Sequence, residues 1–197
     1  FHKEVIKEID ISKFNTFLTN SKHLPEKIEL TKEFGFFMGI FLAEGYIRGN
    51  KTVCISSINN KIKYNIIKTA DKLGLNYSLN DKEINIFSKS LSNLIKSYCY
   101  NLSNLKDNKT KGNYSRIKKI PDFAYFAPRE FIKGLISGIF SGDGRFIKDN
   151  EKIKGFELIT VSKELAQGTS DLLFSIGILN RIIARSYIYN GEKTVYY

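Results

Sequence analysis

A run of small and apolar residues that ends in an acid and a glycine occurs twice in this chain. The first copy is GFFMGIFLAEG at residues 35–45, and the second is GLISGIFSGDG at residues 134–144, 99 positions later. Small residues spaced four apart lie on one face of a helix. Glycine inside a helix costs about 1 kcal/mol relative to alanine, so a glycine stripe needs a structural reason. We expect the two stripes to pack against each other through direct backbone contact. The interface glycines are Gly35, Gly39, Gly134 and Gly138.

The acids, Glu44 and Asp143, fall in the last turn of each predicted helix. We expect Gly45 and Gly144 to end the helices in the left-handed conformation that commonly follows a last turn. If the stripes pack together, the two carboxylates meet at the negative ends of two helix dipoles, which is unfavourable for anions. A divalent cation removes that penalty, and paired carboxylates that hold hard metal ions recur at sites of phosphodiester cleavage. Two core helices with surface acids are the alternative, but the acid repeated in register favours a metal site.

At these residues the chain resembles the LAGLIDADG homing endonucleases. Phe37–Gly45 (FMGIFLAEG) and Ile136–Gly144 (ISGIFSGDG) both match the nine-residue motif, and the flanking sequence is most similar to dodecapeptide endonuclease domains of archaeal inteins. There are two departures from the family pattern. Leu42 and Ser141 replace the first acid of the motif, and Glu44 stands where aspartate is usual. The final acid carries the metal in this family, so the first departure has little consequence.

The resemblance covers roughly residues 24–197 and implies an α+β fold. Two pseudo-symmetric halves, each ordered helix, hairpin, helix, hairpin, would place saddle-shaped antiparallel sheets over DNA. The implied activity is a metal-dependent double-strand break in a long asymmetric DNA target by a monomer with internal pseudo-two-fold symmetry. Mg²⁺ is the expected cofactor, and Mn²⁺ is expected to substitute for it. A DNA- or RNA-binding remnant without cleavage, or an RNA maturase of the same fold, is the alternative, although such remnants usually lose a motif acid.

The resemblance also implies the composition of the metal site. Glu44 and Asp143 are the catalytic acids. The expected ligands are these two carboxylates and the backbone carbonyls of Ala43 and Gly142, with Ser57 and Thr160 as contacts of the water at the metal. Some relatives carry a lysine where this chain has Ile58 and Val161, so the assisting lysine is not identified by position. Lys193 is the candidate.

Charge and composition indicate a polyanionic partner. The net charge is +11, of which +5 falls in residues 1–100 and the remaining +6 in residues 101–197, so both halves are basic. Two basic halves suit two half-sites on DNA; a merely soluble basic surface, or a helix pair that binds no nucleic acid, is the alternative. No apolar run reaches the ~20 residues of a membrane span. Cys54 and Cys99 lack zinc-ligand spacing, and we expect buried thiols in an intracellular protein.

Periodicity and turn residues divide the chain into four parts. Residues 1–30 are a lead-in that is extended or partly helical, 31–102 form the first half, 103–120 a basic linker and 121–197 the second half. The linker is either a solvated connection or runs along DNA phosphates. In the first half, the predicted elements are a helix at 31–43, a hairpin at 46–57 turning at Gly49-Asn50, a helix at 59–73, a hairpin at 77–87 and a helix at 88–102. In the second half, they are a strand at 152–160, a helix at 163–176, and a hairpin of strands 181–189 and 193–197.

Hairpins rich in Lys, Arg, Asn and Tyr are suited to the major groove of DNA. The nominated DNA contacts are Arg48, Lys51, Lys82, Arg145, Lys148, Arg181, Arg185, Tyr187, Tyr189 and Lys193. Each is equally compatible with a solvated strand residue. Protein splicing by this stretch is not expected, since it opens with Phe1 rather than a nucleophile and closes with Tyr197 rather than asparagine.

Overall fold

Two parallel helices, α1 (Lys32–Glu44) and α4 (Arg129–Asp143), lie side by side in direct backbone contact. The structure is a computed structural model, and it describes residues 4–15, 24–57, 59–104, 114–189 and 192–197. Thr31 caps α1, because its side chain accepts a hydrogen bond from the backbone N–H of Phe34. Pro128 precedes α4. The rest of the fold is arranged on this pair.

Backbone contact between the helices is reciprocal. A Cβ added at Gly39 would lie 2.9 Å from the Cα of Gly138, and one added at Gly138 would lie 2.9 Å from the Cα of Gly39. In the same way, a Cβ at Gly35 would meet the carbonyl oxygen of Phe131 at 2.3 Å, and one at Gly134 would meet that of Lys32 at 2.1 Å. Lys32 and Phe131 are themselves 99 positions apart, so the contacts obey the repeat. The four glycines expected at the interface therefore lie at this contact, and its reciprocity is that of a local two-fold axis.

The first half forms a four-stranded antiparallel sheet in the order β3-β4-β6-β5. Its elements are β3 (Gly45–Arg48), β4 (Thr52–Ser56), α2 (Asn60–Lys72), β5 (Asn76–Leu79), β6 (Glu83–Phe87) and α3 (Lys89–Cys99). The turn at Gly49-Asn50 has positive φ at both residues, as a two-residue hairpin requires. Leu91, Leu94 and Ile95 of α3 are fully buried, and each contributes about 1.5–3 kcal/mol of hydrophobic stabilisation.

The lead-in is more ordered than the sequence indicated. Its strand β1 (Glu8–Asp10) pairs antiparallel with β2 (Lys27–Glu29). Ile11 in the same segment is fully buried, and the ring of Phe14 meets Tyr98 edge to face at 5.7 Å. This segment therefore belongs to the hydrophobic core, which apolar residues separated by charges did not reveal.

The second half contains two hairpins. Its elements are β7 (Gly144–Asp149), β8 (Lys152–Leu158), α5 (Lys163–Ser175), β9 (Arg185–Tyr189) and β10 (Glu192–Tyr196). Within the described residues, β7-β8 and β9-β10 are separate two-stranded sheets, although Thr160 and Tyr197 exchange backbone hydrogen bonds of 2.9 and 2.8 Å between them. The strand predicted from residue 181 begins only at Arg185. The α+β architecture of helices and antiparallel hairpins is confirmed.

The glycines after the motif acids do not adopt the expected conformation. Gly45 has φ −94° and ψ 154°, and Gly144 has φ −88° and ψ 148°, so both are extended and start strands. The left-handed prediction is therefore wrong. A Cβ at Gly45 would lie 2.6 Å from the carbonyl oxygen of Phe41, and one at Gly144 would lie 2.4 Å from that of Phe140. Glycine is required here because each strand folds back tightly over its own helix. Gly74 and Gly177, by contrast, have the positive φ expected after α2 and α5.

The described end of the predicted linker is part of the core. Residues Tyr114–Ile117 form a 3₁₀ helix, and Lys118 then pairs with Tyr100 in an isolated antiparallel bridge. Ile120 is 2% exposed. This segment is therefore buried, whereas both interpretations of the linker, a solvated connection and a chain along DNA phosphates, predicted an exposed segment. Cys54 and Cys99 are buried free thiols, as expected, and no helix in the described part of the chain has the length and apolar character needed to cross a membrane.

Replacing Gly138 by alanine is expected to lower the free energy of unfolding by about 1–3 kcal/mol, because the new Cβ would meet backbone atoms that cannot turn away. Alanine alone would otherwise favour the helix by about 1 kcal/mol, so a loss isolates the interface. The measurement is chemical denaturation. Gly155→Ala is the matched control, since its Cβ would have Ile147 Cδ1 at 3.9 Å as its nearest neighbour. Equal stability of the two variants would contradict a tight interface.

Candidate active site

The two motif acids lie at the adjacent C-terminal ends of α1 and α4. Glu44 is the last residue of α1 and Asp143 the last of α4. A Cβ placed on Gly142 would lie 3.0 Å from Cγ of Glu44 and 2.5 Å from Cβ of Ala43, so the Glu44 side chain lies directly against the other helix. Two parallel helices joined by glycines thus bring the carboxylates of both halves to one point of the molecule.

Asp143 is the electrostatically strained member of the pair. Its burial and, to a lesser degree, the charge of Glu44 raise its pKa to about 6, although the charge of Lys118 opposes both effects. The ordinary value is 3.8, so the ionised form is disfavoured in this position. A carboxylate that is half-buried and beside a second carboxylate is a site where a cation would be stabilised.

Lys118 lies beneath this pair, and the sequence interpretation missed it. Its side chain is 4% exposed, and Nζ donates hydrogen bonds to the carbonyl oxygens of Phe41 at 3.2 Å and Leu42 at 2.9 Å. Those oxygens belong to the last turn of α1, where a cation satisfies unpaired carbonyls and the helix dipole. Burial lowers the pKa of Lys118, the acidic groups nearby, Asp143 foremost and Glu44 among them, oppose that shift, and the resulting pKa is about 8. A lysine therefore stands at the site with a pKa close to neutrality.

A signal for Lys118 was present in the sequence. Ile117 and Ile120 flank it, and an apolar pair around a lysine just before the second motif indicates a segment that enters the core. The basic character of the whole stretch concealed this pattern. The candidate named instead was Lys193, whose side chain lies outside the described residues, as does Ile58.

The predicted water contacts occupy different environments. Ser57 lines a pocket of about 200 Å³ together with Glu44, Ser141 and Gly142, so it borders the site. Thr160 is 8% exposed, and its hydroxyl accepts a hydrogen bond from the N–H of Ser162 at the start of α5. Thr160 lines a separate pocket between β8 and α5. The two positions correspond in sequence, but only Ser57 adjoins a motif acid there.

The available ligands at the helix ends are oxygen atoms. Among the described residues no group of three or more His, Cys, Asp and Glu side chains comes together, so any ion here would be held by the two motif acids with backbone or substrate oxygens. Oxygen donors are those that Mg²⁺ prefers. The carbonyl of Ala43, a predicted ligand, also lies 3.4 Å from Nζ of Lys118. The donor set and the unfavourable charge of Asp143 both fit a hard divalent cation.

The nominated DNA contacts that the structure describes are all exposed. They are Arg48, Lys51, Lys82, Arg145, Lys148, Arg181, Arg185 and Tyr187. Tyr187 is 48% exposed and its ring lies 5.6 Å from that of Tyr196 across the terminal hairpin. The side chain of Tyr189 lies outside the described residues. Arg181 lies before β9 rather than in it.

Comparison with known proteins assigns the chain to a family. A model described as "Homing endonuclease" matches residues 26–122, and one described as "LAGLIDADG-like domain" matches residues 130–197, so each of the two motifs falls inside one of them. The chain belongs to the LAGLIDADG homing endonuclease family. The resemblance of the two motifs is thereby confirmed.

Two proteins with similar sequences are much longer than this chain. It is 38% identical to the DNA-directed RNA polymerase subunit Rpo1C of Methanocaldococcus jannaschii over 82% of its own length, and 33% identical to transcription initiation factor IIB of that organism over 85%. It spans only 18% and 22% of those two proteins. Their names describe different activities, so the similarity concerns a segment of each protein rather than its whole length.

A solved structure with a similar fold supports the fold of this chain. Full-length DUF199/WhiA from Thermatoga maritima aligns with a TM-score of 0.51 at 12% identity, over 95% of this chain and 54% of that one. At this identity the likeness concerns the fold alone.

Stability is expected to depend on pH through Asp143. The folded protein holds a proton at this carboxyl up to about pH 6, whereas the unfolded chain releases it near 3.8, so stability falls as pH rises through that window. In metal-free buffer, Asp143→Asn should therefore be more stable than the wild type above pH 6, on the order of 1 kcal/mol, with a smaller difference below pH 4. Thermal unfolding across pH measures this.

The exposed turn residue Asp81 supplies the control for that experiment. Asp81→Asn should leave the pH dependence unchanged. A destabilised Asp143→Asn protein above pH 6 would show that the two helix-end acids do not repel each other.

Proposed function

We propose that this protein is a site-specific endonuclease that makes a Mg²⁺-dependent double-strand break in a long asymmetric DNA target. It acts as a monomer, with each half contacting one half-site. The observation that carries the proposal is the pair Glu44 and Asp143 at the adjacent ends of α1 and α4, next to the buried Lys118. A scaffold that only bound DNA would have no need of two opposed acids and a buried lysine at this point.

Glu44 and Asp143 would hold the metal, with the carbonyls of Ala43 and Gly142 as further ligands. Bound Mg²⁺, or Mn²⁺ in its place, would polarise the scissile phosphate and lower the pKa of a coordinated water. The protein supplies the position of the two carboxylates, since the glycine interface leaves them little freedom. In the metal-free protein, ionised Asp143 predominates only above about pH 6, so a proton would compete with the metal for this carboxylate below that pH.

Lys118 would act on charge at the same site. Its ammonium group is held by α1 carbonyl oxygens, and it lies close enough to Asp143 and Glu44 for their charges to act on its pKa. A pKa of about 8 leaves it charged at neutral pH and able to exchange a proton at low cost. It is buried, so it would stabilise negative charge at the cleavage point rather than contact the surrounding DNA.

DNA binding would use the basic hairpins of both halves. The charge of +11 and the exposed lysines and arginines favour contact with many phosphates, and such binding weakens steeply with salt. The two halves differ, because the first has a four-stranded sheet and the second has separate hairpins in its described part. Unlike surfaces suit unlike half-sites, so an asymmetric target follows. The embedded matches in longer relatives favour an intein-like origin.

Glu44→Gln and Asp143→Asn are each expected to abolish double-strand cleavage while leaving DNA affinity nearly intact, because each change removes a ligand charge without altering a DNA-facing hairpin. The assay is incubation of a supercoiled plasmid library that carries candidate insertion sites with protein and Mg²⁺, followed by electrophoresis. Linear product from the wild type supports the proposal. A salt-sensitive mobility shift with no product would favour a binding remnant or maturase, and wild-type rates in both variants would refute the catalytic assignment.

Lys118→Met is expected to lower the cleavage rate by at least about tenfold, toward the ~10²–10⁴ range of acid–base contributions, with unchanged affinity for DNA. The wild-type rate should change near pH 8, and that inflection should be absent from the variant. Since Lys118 also satisfies α1 carbonyls, thermal unfolding must be measured alongside. A variant that keeps the pH 8 inflection would show that Lys118 has only a structural role.

A further inference from the structure

The sheet of the first half has one face on the helices and an opposite face from which Tyr46 and Arg48 reach solvent, while Cys54 and Asn85 on that face are buried. Val53, Ile55, Ile84 and Ile86 are fully buried on the helix side. Because side chains alternate along a strand, the intervening residues lie on the opposite face, which we call the outer face. The outer face of this sheet carries Tyr46, Arg48, Cys54, Glu83 and Asn85.

Arg48 is held on the outer face by a carboxylate. Its Nη2 donates to the two Glu83 oxygens at 3.2 and 3.0 Å, and its Nη1 donates to Asn85 Oδ1 at 3.3 Å. The Tyr46 hydroxyl donates to Glu83 at 2.6 Å, and the guanidinium lies over the Tyr46 ring at 5.5 Å. The Glu83 side chain is 14% exposed, whereas that of Arg48 is 56% exposed. The acid is thus a fixed support and the arginine projects to solvent.

The second half repeats this arrangement with different residues. Arg145 of β7 faces Glu157 of β8 across the hairpin, and its Nε and Nη2 donate to Glu157 Oε1 at 2.6 and 2.5 Å. Again the arginine side chain, at 61%, is more exposed than the acid at 28%. Arg145 lies 99 positions after Tyr46, so the pair occupies the face that corresponds to the outer face of the first half.

Burial alone would raise the pKa of Glu83, but hydrogen bonds from Tyr46 and Arg48 outweigh it and hold the pKa below its ordinary value. The acid is therefore ionised at neutral pH. An ionised carboxylate on a surface meant for DNA repels phosphate, so it needs a reason to be there.

We propose that Glu83 and Glu157 are specificity-determining residues, which orient Arg48 and Arg145 toward base edges and restrain them from binding phosphates of arbitrary DNA. This inference rests on the proposed function. A free surface arginine contributes to binding at any sequence, whereas a bidentate contact to guanine requires a fixed guanidinium plane. Glu157 engages only Nε and Nη2 of Arg145, so its Nη1–Nη2 edge remains free for a bidentate contact. Arg48 also donates from Nη2 to the Tyr46 hydroxyl and from Nη1 to Asn85, so it keeps Nε–H and one Nη1 hydrogen as single donors to a base. The two carboxylates therefore weaken binding to non-target DNA more than binding to the target sequence.

Glu83→Gln and Glu157→Gln test the proposal without knowledge of the target. Glutamine keeps the shape and an oxygen acceptor for Tyr46. Each variant is expected to bind a random-sequence duplex about threefold to tenfold more tightly at low salt, with the slope of log K against log salt steeper by about one phosphate contact. Fluorescence anisotropy with a labelled duplex over a salt series gives both quantities.

Glu130→Gln is the matched control, since Glu130 pairs with Lys133 at 2.6 Å on the first turn of α4, about 20 Å of helix away from Asp143. It raises the net charge equally but leaves the outer faces intact. If all three variants tighten equally, general charge is the cause and the proposal is overturned. If neither sheet variant gains affinity beyond this control, it is likewise overturned.

Two further readouts separate the possible failures. If the wild type shows no salt-dependent binding to any duplex, the proposed function itself fails and this inference fails with it. Circular dichroism melting checks that the variants fold. If Glu83→Gln does not fold, Glu157→Gln still tests the proposal, because Glu157 is the more exposed acid. Selection from a randomised duplex library should give a sharper consensus for the wild type than for either sheet variant, and an equally sharp one would refute the proposal.

Discussion

Direct backbone contact between α1 and α4 is the interaction on which the other features depend. Four glycines bring the helices so close that a single added Cβ at any of them would lie within about 2–3 Å of backbone atoms of the neighbour. No larger residue can make this contact, because protein interiors are close-packed and the facing atoms are main chain. The same contact joins the two halves and sets the distance between the acids that end both helices.

The site is consequently an electrostatic compromise. Close packing of parallel helices places two carboxylates at two negative helix ends, and the structure does not relieve this by separating them. Lys118 instead reaches the α1 carbonyls from the segment that precedes α4, and it offsets part of the burden on Asp143. A divalent cation at the proposed metal site would remove the remaining imbalance, so the unfavourable charge of the metal-free protein would favour metal binding. The two carboxylates would thus lower the stability of the folded protein at the point where the proposed function needs them.

Approximate symmetry governs the framework but not the surfaces. The helix contacts are reciprocal, yet Arg48 reaches over β4 to Glu83 on β6, while Arg145 uses the strand directly opposite. The buried lysine contacts the end of α1. Core residues follow the 99-residue repeat because both halves pack at one interface. Surface residues differ between the halves because each half would contact a different DNA sequence. A fused chain, unlike a homodimer, can let its halves diverge in this way.

The repeat at 99 residues was sufficient to predict the glycine interface and the position of Glu44 and Asp143, because spacing on a helix is a local property of the sequence. Hairpins and caps at Asn50, Gly74 and Gly177 were predictable for the same reason. The α+β fold followed from the family resemblance of the two motifs. The apolar residues around Lys118 indicated a buried segment, but the position of Lys118 at the site was not predictable, because it depends on carbonyl oxygens of α1 that lie 75 or more residues earlier in the chain. The extended backbone of Gly45, the burial of the lead-in and the Arg48–Glu83 pair also depend on packing between distant segments. Local chemistry determined the elements and the acids; only tertiary structure decided which charges meet.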